Sequence, residues 1–181
     1  RHNAITDPEA EFLGQAATWG ADIPVCLGAD GAKAAMMAGI GECVWRPPVG
    51  QRLIPQGVWA LLVNPQVPVA TADVFRQLSA APLESAQVPV PAIEPLRSFA
   101  ELLAFIRSSR NDLEPPARKV EPMIGRVLAA IAEQPECAIA RMSGSGATCF
   151  GLFAERHSAQ QAHDRLAAAE PGWWLAVSAL D

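Results

Sequence analysis

Residues 137–153 read Cys-Ala-Ile-Ala-Arg-Met-Ser-Gly-Ser-Gly-Ala-Thr-Cys-Phe-Gly-Leu-Phe. Two apolar runs, 137–142 and 147–153, flank a turn made only of serine and glycine, Ser143-Gly144-Ser145-Gly146. Strands joined by so short a turn are antiparallel neighbours. Glycine takes positive φ readily and lets another chain or an anion approach the backbone closely. Successive backbone N–H groups in such a turn form an anion-binding nest, to which the serines can add hydroxyl donors. Two readings stay open for this segment: a plain hairpin with serines for solubility, or a phosphate-friendly loop. It is not a Walker loop, because G-x-x-x-x-G-K-[ST] is absent.

On either side of this hairpin the pattern is mixed. Upstream, Val120, Ile124, Val127, Leu128 and Ile131 recur at helical spacing and predict a helix over about 117–133, stopped by Pro135. Before it, Phe99, Leu102, Leu103 and Ile106 mark a helix over 98–108. Residues 80–97 contain Pro82, Pro89, Pro91 and Pro95 without a clear period and read as a loop. Thr71 caps a helix of about 72–79, and the near-continuous apolar run 58–63, ending at Asn64-Pro65, is a buried strand. Downstream, 157–169 is a helix and 173–178 a last strand, with Trp173 and Trp174 assigned to core and edge packing. From residue 58 the order is β-α-α-α-β-β-α-β, an α+β sandwich in which helices cover one face of an antiparallel sheet. Nearer the start, Asp7-Pro8 opens a helix over 7–18. Asp22 with Pro24 signals another start, and 33–38 and 42–45 read as short strands around Gly39-Ile40-Gly41, before a connector at 46–57.

Composition narrows the class. In 181 residues, half are hydrophobic and 18% charged, enough to bury a core and unlike a disordered chain. No apolar run approaches the about 20 residues of a membrane span. A net charge of −5 argues against a nucleic-acid partner, which selects a basic face. Cys26, Cys43, Cys137 and Cys149 form no C-x-x-C pair and read as reduced thiols of a cytoplasmic protein. With only His2, His157 and His163 beside them, no metal site is expected.

Residues 141–153 resemble the third motif of the GHMP kinases, a superfamily of small-molecule kinases. Residues 143–150 match S/T-G-S/T-G-A-x-x-F, the form found in the branch acting on a cytidine-diphosphate-linked methylated sugar alcohol. Trp19-Gly20-Ala21-Asp22-Ile23-Pro24-Val25-Cys26 resembles L-G-A-D-V-P-V of the same branch, with Trp19 replacing leucine. A third likeness runs from Asn64-Pro65 through Thr71 to Phe75, against N/H-P-G-x-x-x-x-T-x-x-x-F, with Gln66 where the family usually has glycine. Asn111-Asp112-Leu113-Glu114 is similar to the family's N-D-[LF]-E segment.

The resemblance implies a GHMP kinase C-terminal domain over 58–181, preceded over 1–57 by the end of an N-terminal kinase domain. It implies ATP-dependent phosphorylation of a 2-hydroxyl in non-mevalonate isoprenoid biosynthesis, with a small-molecule substrate and a monomer or homodimer; another small-molecule kinase of the superfamily, or a non-catalytic nucleotide-binding α+β module, are the alternative readings. Asp22 then acts as the catalytic base, since a carboxylate can accept the proton released as the P–O bond forms. From the residues alone Asp22 equally caps the short helix after it, and the roles can coexist. The matching threonine and phenylalanine place Thr71 beside the substrate and Phe75 on its cytosine ring; a helix cap and a core aromatic are the plain alternatives. Ser143, Gly144, Ser145, Gly146 and Ala147 take a supporting, phosphate-proximal role, and Asn111 is a cap and loop brace. The family's Gly-rich ATP loop and N-terminal lysine have no counterpart; Lys33 and Lys119 are the only lysines. The chain also starts Arg1-His2-Asn3, without methionine. ATP and Mg²⁺ are therefore expected to be bound mainly by an N-terminal part not in this sequence, and this polypeptide alone is expected to be inactive.

Overall fold

The structure, a computed structural model, describes residues 35–38, 43–45, 48, 51–78 and 94–180. Asp22, Cys26, the helix expected at 7–18 and most of the loop expected at 80–97 lie outside them. The chain divides into two compact units, Arg1–Leu53 with Pro82–Pro95, and Ile54–Ala81 with Leu96–Asp181. Within the first, β1 (Met36–Ala38) and β2 (Cys43–Trp45) pair antiparallel, Met36 opposite Trp45, as the pattern around the Gly39–Gly41 turn predicts.

The second unit is built on a four-stranded antiparallel sheet. Its strands are β3 (Val58–Asn64), β4 (Ile139–Met142), β5 (Cys149–Phe153) and β6 (Trp174–Leu180), in the order β4-β5-β3-β6. The apolar run of β3 is explained by its central place. It pairs with β5, Leu61 opposite Gly151, and with β6, Leu61 opposite Val177. The Ser-Gly hairpin joins β4 to β5 with Met142 opposite Cys149, the expected antiparallel neighbours.

Five helices complete the described part of this unit: α1 (Thr71–Leu78), α2 (Phe99–Ser108), α3 (Glu114–Val120), α4 (Met123–Ala132) and α5 (Arg156–Ala169). The larger core joins Leu61 and Val63 of β3, Cys149 and Phe153 of β5, and Val74 of α1 to Ala117 of α3. The same core holds Ile124, Val127, Leu128 and Ile131 of α4, spaced to lie on one face, and Ala159, Ala162 and Leu166 of α5. Burying each such aliphatic side chain contributes about 1.5–3 kcal/mol. The α+β sandwich is thus present, with one addition. Val58, Ala60 and Leu152 alternate to the opposite face of the sheet. There they meet Leu102, Phe99 and Ile106 of α2, so one helix covers the second face.

One expected helix is two. The pattern over 117–133 is interrupted at Glu121, which is extended (φ −134°, ψ 96°) before Pro122. The residue preceding proline is driven out of the helical region by the ring, and proline has no N–H to continue the ladder. The Glu121 carboxylate then accepts the Met123 N–H at 2.9 Å, restarting the chain as α4. α3 opens at Glu114, with Pro115 and Pro116 in a first turn where a missing N–H costs nothing. α2 is capped by Ser98, whose hydroxyl accepts the Glu101 N–H, while Glu101 reaches back to the Arg97 N–H at 2.7 Å.

Candidate functional site

The C-terminal end of β3, the turn between β4 and β5 and the start of α1 come together at one end of the sheet. At the end of β3, the Asn64 side-chain carbonyl accepts the Gln66 N–H at 2.8 Å, an Asx turn around Pro65. Gln66 adopts φ 59°, the left-handed region that favours glycine. Glycine at this position in the related motif now has a physical reason, and the glutamine keeps the turn rather than abolishing it. The Asn64 amide donates to the Thr148 hydroxyl at 2.9 Å, tying β3 to the far side of the Ser-Gly turn.

The turn is closed internally by two backbone bonds, Ser143 N–H to Thr148 O at 2.9 Å and Gly146 N–H to Ser143 O at 3.0 Å. Gly144 (φ 54°) and Gly146 (φ 93°) both take conformations that L side chains rarely adopt. Their surroundings differ. A Cβ on Gly144 would meet nothing within 4 Å, whereas one on Gly146 would lie 2.9 Å from Ile124 Cδ1 and 3.2 Å from Met142 Sδ. The turn therefore rests directly on α4 at Gly146 and is open at Gly144. Ala147 is buried in the main core, so of residues 143–147 it is a packing residue in its side chain.

α1 meets the turn through hydroxyls. The Ala70 carbonyl accepts the Asp73 and Val74 N–H groups, so Ala70, not Thr71, holds the first turn of the helix. Thr71 is the first helical residue, and its hydroxyl lies 2.9 Å from the Ser145 hydroxyl, 74 positions away in sequence. Phe75 follows one turn later on the same side of the helix. It is 53% exposed, which rules out a core aromatic. Thr71 and Ser145 are thus brought together, with Phe75 open beside Thr71.

The Asn111–Glu114 segment braces the turn from outside. The Asn111 amide donates to Met142 O at 3.1 Å and Gly144 O at 2.8 Å, while its side-chain carbonyl accepts the Leu113 N–H at 3.0 Å. The expected loop brace is present, but not the cap: Leu113 is the N-cap of α3 and has no side-chain cap bond, and Asn111 forms an Asx turn just before it. The Glu114 carboxylate accepts the Met142 N–H at 3.4 Å and lies 3.9 Å from Arg118. Asn64 and Thr148 had not been singled out from the sequence as members of this network. The available signal was a polar residue ending an apolar strand just before Pro65, and a threonine breaking an otherwise apolar run.

Burial pushes the Cys149 thiol up to about 12, and the neighbouring Glu114 carboxylate adds to the shift. Burial also raises Cys137, against hydrogen bonds to the backbone at Ile139 and Leu152. Both are free thiols held un-ionised. Trp173 packs on the main core, whereas Trp174, opposite Asn64 in the sheet, is 48% exposed. Among the described residues, no group of three or more His, Cys, Asp or Glu side chains converges to hold a metal, and no helix is long and apolar enough to cross a membrane.

Residues 90–172 match the family described as GHMP kinases C terminal. Among curated relatives, the 4-diphosphocytidyl-2-C-methyl-D-erythritol kinase of Parvibaculum lavamentivorans is 46% identical over 173 residues, 95% of this chain and 57% of the relative. The enzyme of that name from Paramagnetospirillum magneticum is 44% identical over 174 residues, 96% of this chain and 57% of its own. One from Cereibacter sphaeroides is 47% identical over 157 residues, 86% and 52%. The crystal structure of a 4-(cytidine 5'-diphospho)-2C-methyl-D-erythritol kinase superposes with a TM-score of 0.60 at 23% identity, over 94% of this chain and 57% of that one, a likeness of fold. The chain thus spans little more than half the length of these relatives.

Proposed function

We propose that this chain supplies the C-terminal domain, residues 58–181, and through 1–57 the end of the preceding domain, of a kinase that phosphorylates the 2-hydroxyl of 4-diphosphocytidyl-2-C-methyl-D-erythritol. The observation that carries the reading is the meeting of the Thr71 and Ser145 hydroxyls at 2.9 Å, with Phe75 exposed one turn further along α1. These are the positions that the kinase motifs single out, and folding gathers them at one end of the sheet. In this reading Phe75 offers its face to the cytosine ring, where stacking contributes about 1–3 kcal/mol. Thr71 orients the alcohol part of the substrate. Residues 143–147 lie next to the phosphates, with glycine backbone that an anion can approach.

Asp22 is the base that takes or orients the hydroxyl proton. ATP, when bound, supplies the phosphoryl group, with Mg²⁺ neutralising its charge. From the resemblance, the ligands of the ion and the ATP loop are read as belonging mainly to a more N-terminal part of the kinase. The protein is read as cytoplasmic, acting as a monomer or homodimer on a small molecule. The test is turnover of 4-diphosphocytidyl-2-C-methyl-D-erythritol by the full-length protein. Asp22→Asn is expected to lower kcat by about 10²–10⁴-fold with ATP binding nearly unchanged; normal turnover in that variant would end the assignment of the base.

A further inference from the structure

The Ser-Gly turn makes few hydrogen bonds of its own. Two backbone bonds close it, both its glycines carry positive φ, and Gly144 has open space where a side chain would sit. What fixes the open half is the Asn111 amide, which takes the carbonyls of Met142 and Gly144, on either side of Ser143. The chemistry sets the orientation of this amide. Its NH₂ must face the two carbonyls and its oxygen the Leu113 N–H, because a flipped amide would set oxygen against oxygen. Among the described residues, the Gly144 and Ser145 N–H groups make no hydrogen bond. The neighbouring carbonyls are taken by Asn111, no described group takes these two donors, and the Ser145 hydroxyl reaches Thr71.

We propose that Asn111 is a positioning residue for phosphoryl transfer. Its two donated bonds hold the turn in the form that presents Gly144 and Ser145 N–H to phosphate oxygens and Ser145 to Thr71. The proposal rests on the kinase reading above. The side chain does two separable things, since it accepts from Leu113 to start α3 and donates to the turn. Asn111→Asp keeps the acceptor and removes both donors. Asn111→Ser keeps a hydroxyl that can accept the Leu113 N–H, adds no charge and is too short to reach the turn, so it covers the case in which the aspartate variant fails to fold. A residue that merely starts a helix tolerates both changes.

The experiment uses the full-length protein with ATP and 4-diphosphocytidyl-2-C-methyl-D-erythritol. Misplacing a phosphate-facing group by about 1 Å costs on the order of 10²-fold. The expected result is therefore a fall in kcat of about 10–100-fold, with KM for the alcohol moving much less. A second readout does not depend on activity. Amide hydrogen exchange at Ser143 and Gly146 is expected to rise at least about tenfold in both variants, with the amides of α4 unchanged. Unchanged kcat overturns the proposal, and so does unchanged exchange at the turn. An inactive wild type would sink the kinase reading alone, and exchange at Ser143 and Gly146 would still decide whether Asn111 holds the turn.

Discussion

Gly146→Ala meets two separate obstacles, and the neighbouring Gly144→Ala meets only one. Both positions carry positive φ, 93° and 54°, and an L side chain in such backbone costs about 1–2 kcal/mol. At Gly144 that is the whole penalty, since nothing lies within 4 Å of the added methyl. At Gly146 the methyl would stand 2.9 Å from Ile124 Cδ1, where carbon–carbon contact is optimal at about 3.5–4.0 Å. Ile124 is fully buried in the main core, so its side chain can yield only against packed neighbours. Overpacking of this kind adds about 1–3 kcal/mol. The expected losses are therefore about 1–2 kcal/mol at Gly144 and about 2–5 kcal/mol at Gly146. Ile124→Val deletes the very atom in the way. Alone it costs about 0.5–1.5 kcal/mol; combined with Gly146→Ala it should cost nothing or restore stability, a coupling of about 1 kcal/mol or more. Urea unfolding followed by circular dichroism on the four proteins and Gly144→Ala gives every term. Equal losses at the two glycines, or additive effects in the cycle, would refute the claim that the turn rests on α4 through Gly146.

Three further outcomes follow from the same geometry. Phe75→Ala should raise KM for the cytidine-linked alcohol about 5–150-fold, corresponding to about 1–3 kcal/mol of stacking, with little change in melting temperature because the ring is half exposed. Gln66→Gly should stabilise the protein by about 1 kcal/mol by relieving the left-handed φ of 59°, measured as a shift in urea midpoint at constant slope. For Cys149, the folded thiol titrates at about 12 against an ordinary value of 9.0. Above pH 9 the unfolded chain releases this proton and the folded one does not, so stability falls as pH rises from 9 towards 12. The slope is about 1.4 kcal/mol per pH unit for this group. Cys149→Ala should remove this group's share of the slope and leave that of Cys137, also raised by burial, in a chain with no tyrosine to add its own titration.

The sheet and its helices were readable because their apolar spacing is regular. β3 is a continuous apolar run because it is central, and α4 has one face of Ile124, Val127, Leu128 and Ile131. The division of the helix at Glu121 was written in Pro122, but a helical apolar period continues across the break and outweighed it. That α2 covers the second face of the sheet was not readable, since an amphipathic helix shows that it is covered and not by what. At the site, short-range chemistry was legible and long-range chemistry was not. The Ser-Gly turn announces itself by composition, whereas the contact of Thr71 with Ser145 and of Asn64 with Thr148 depends on strand register. Gln66 shows the opposite case: its departure from glycine says nothing about φ, which the Asn64-Pro65 turn imposes.

The exposed indole of Trp174 gives this end of the sheet an optical label. Without tyrosine, ultraviolet emission of the folded protein comes from its five tryptophans alone. Among the described tryptophans, Trp174 alone is about half exposed; Trp59 sits less exposed beneath the Arg156 guanidinium. A small collisional quencher in solution therefore reaches Trp174 ahead of its half-buried counterparts. Trp174 stands opposite Asn64, which is itself bonded to Thr148 beside the Ser-Gly turn. Events at that turn are placed to register in the light the protein already emits, without any dye being attached.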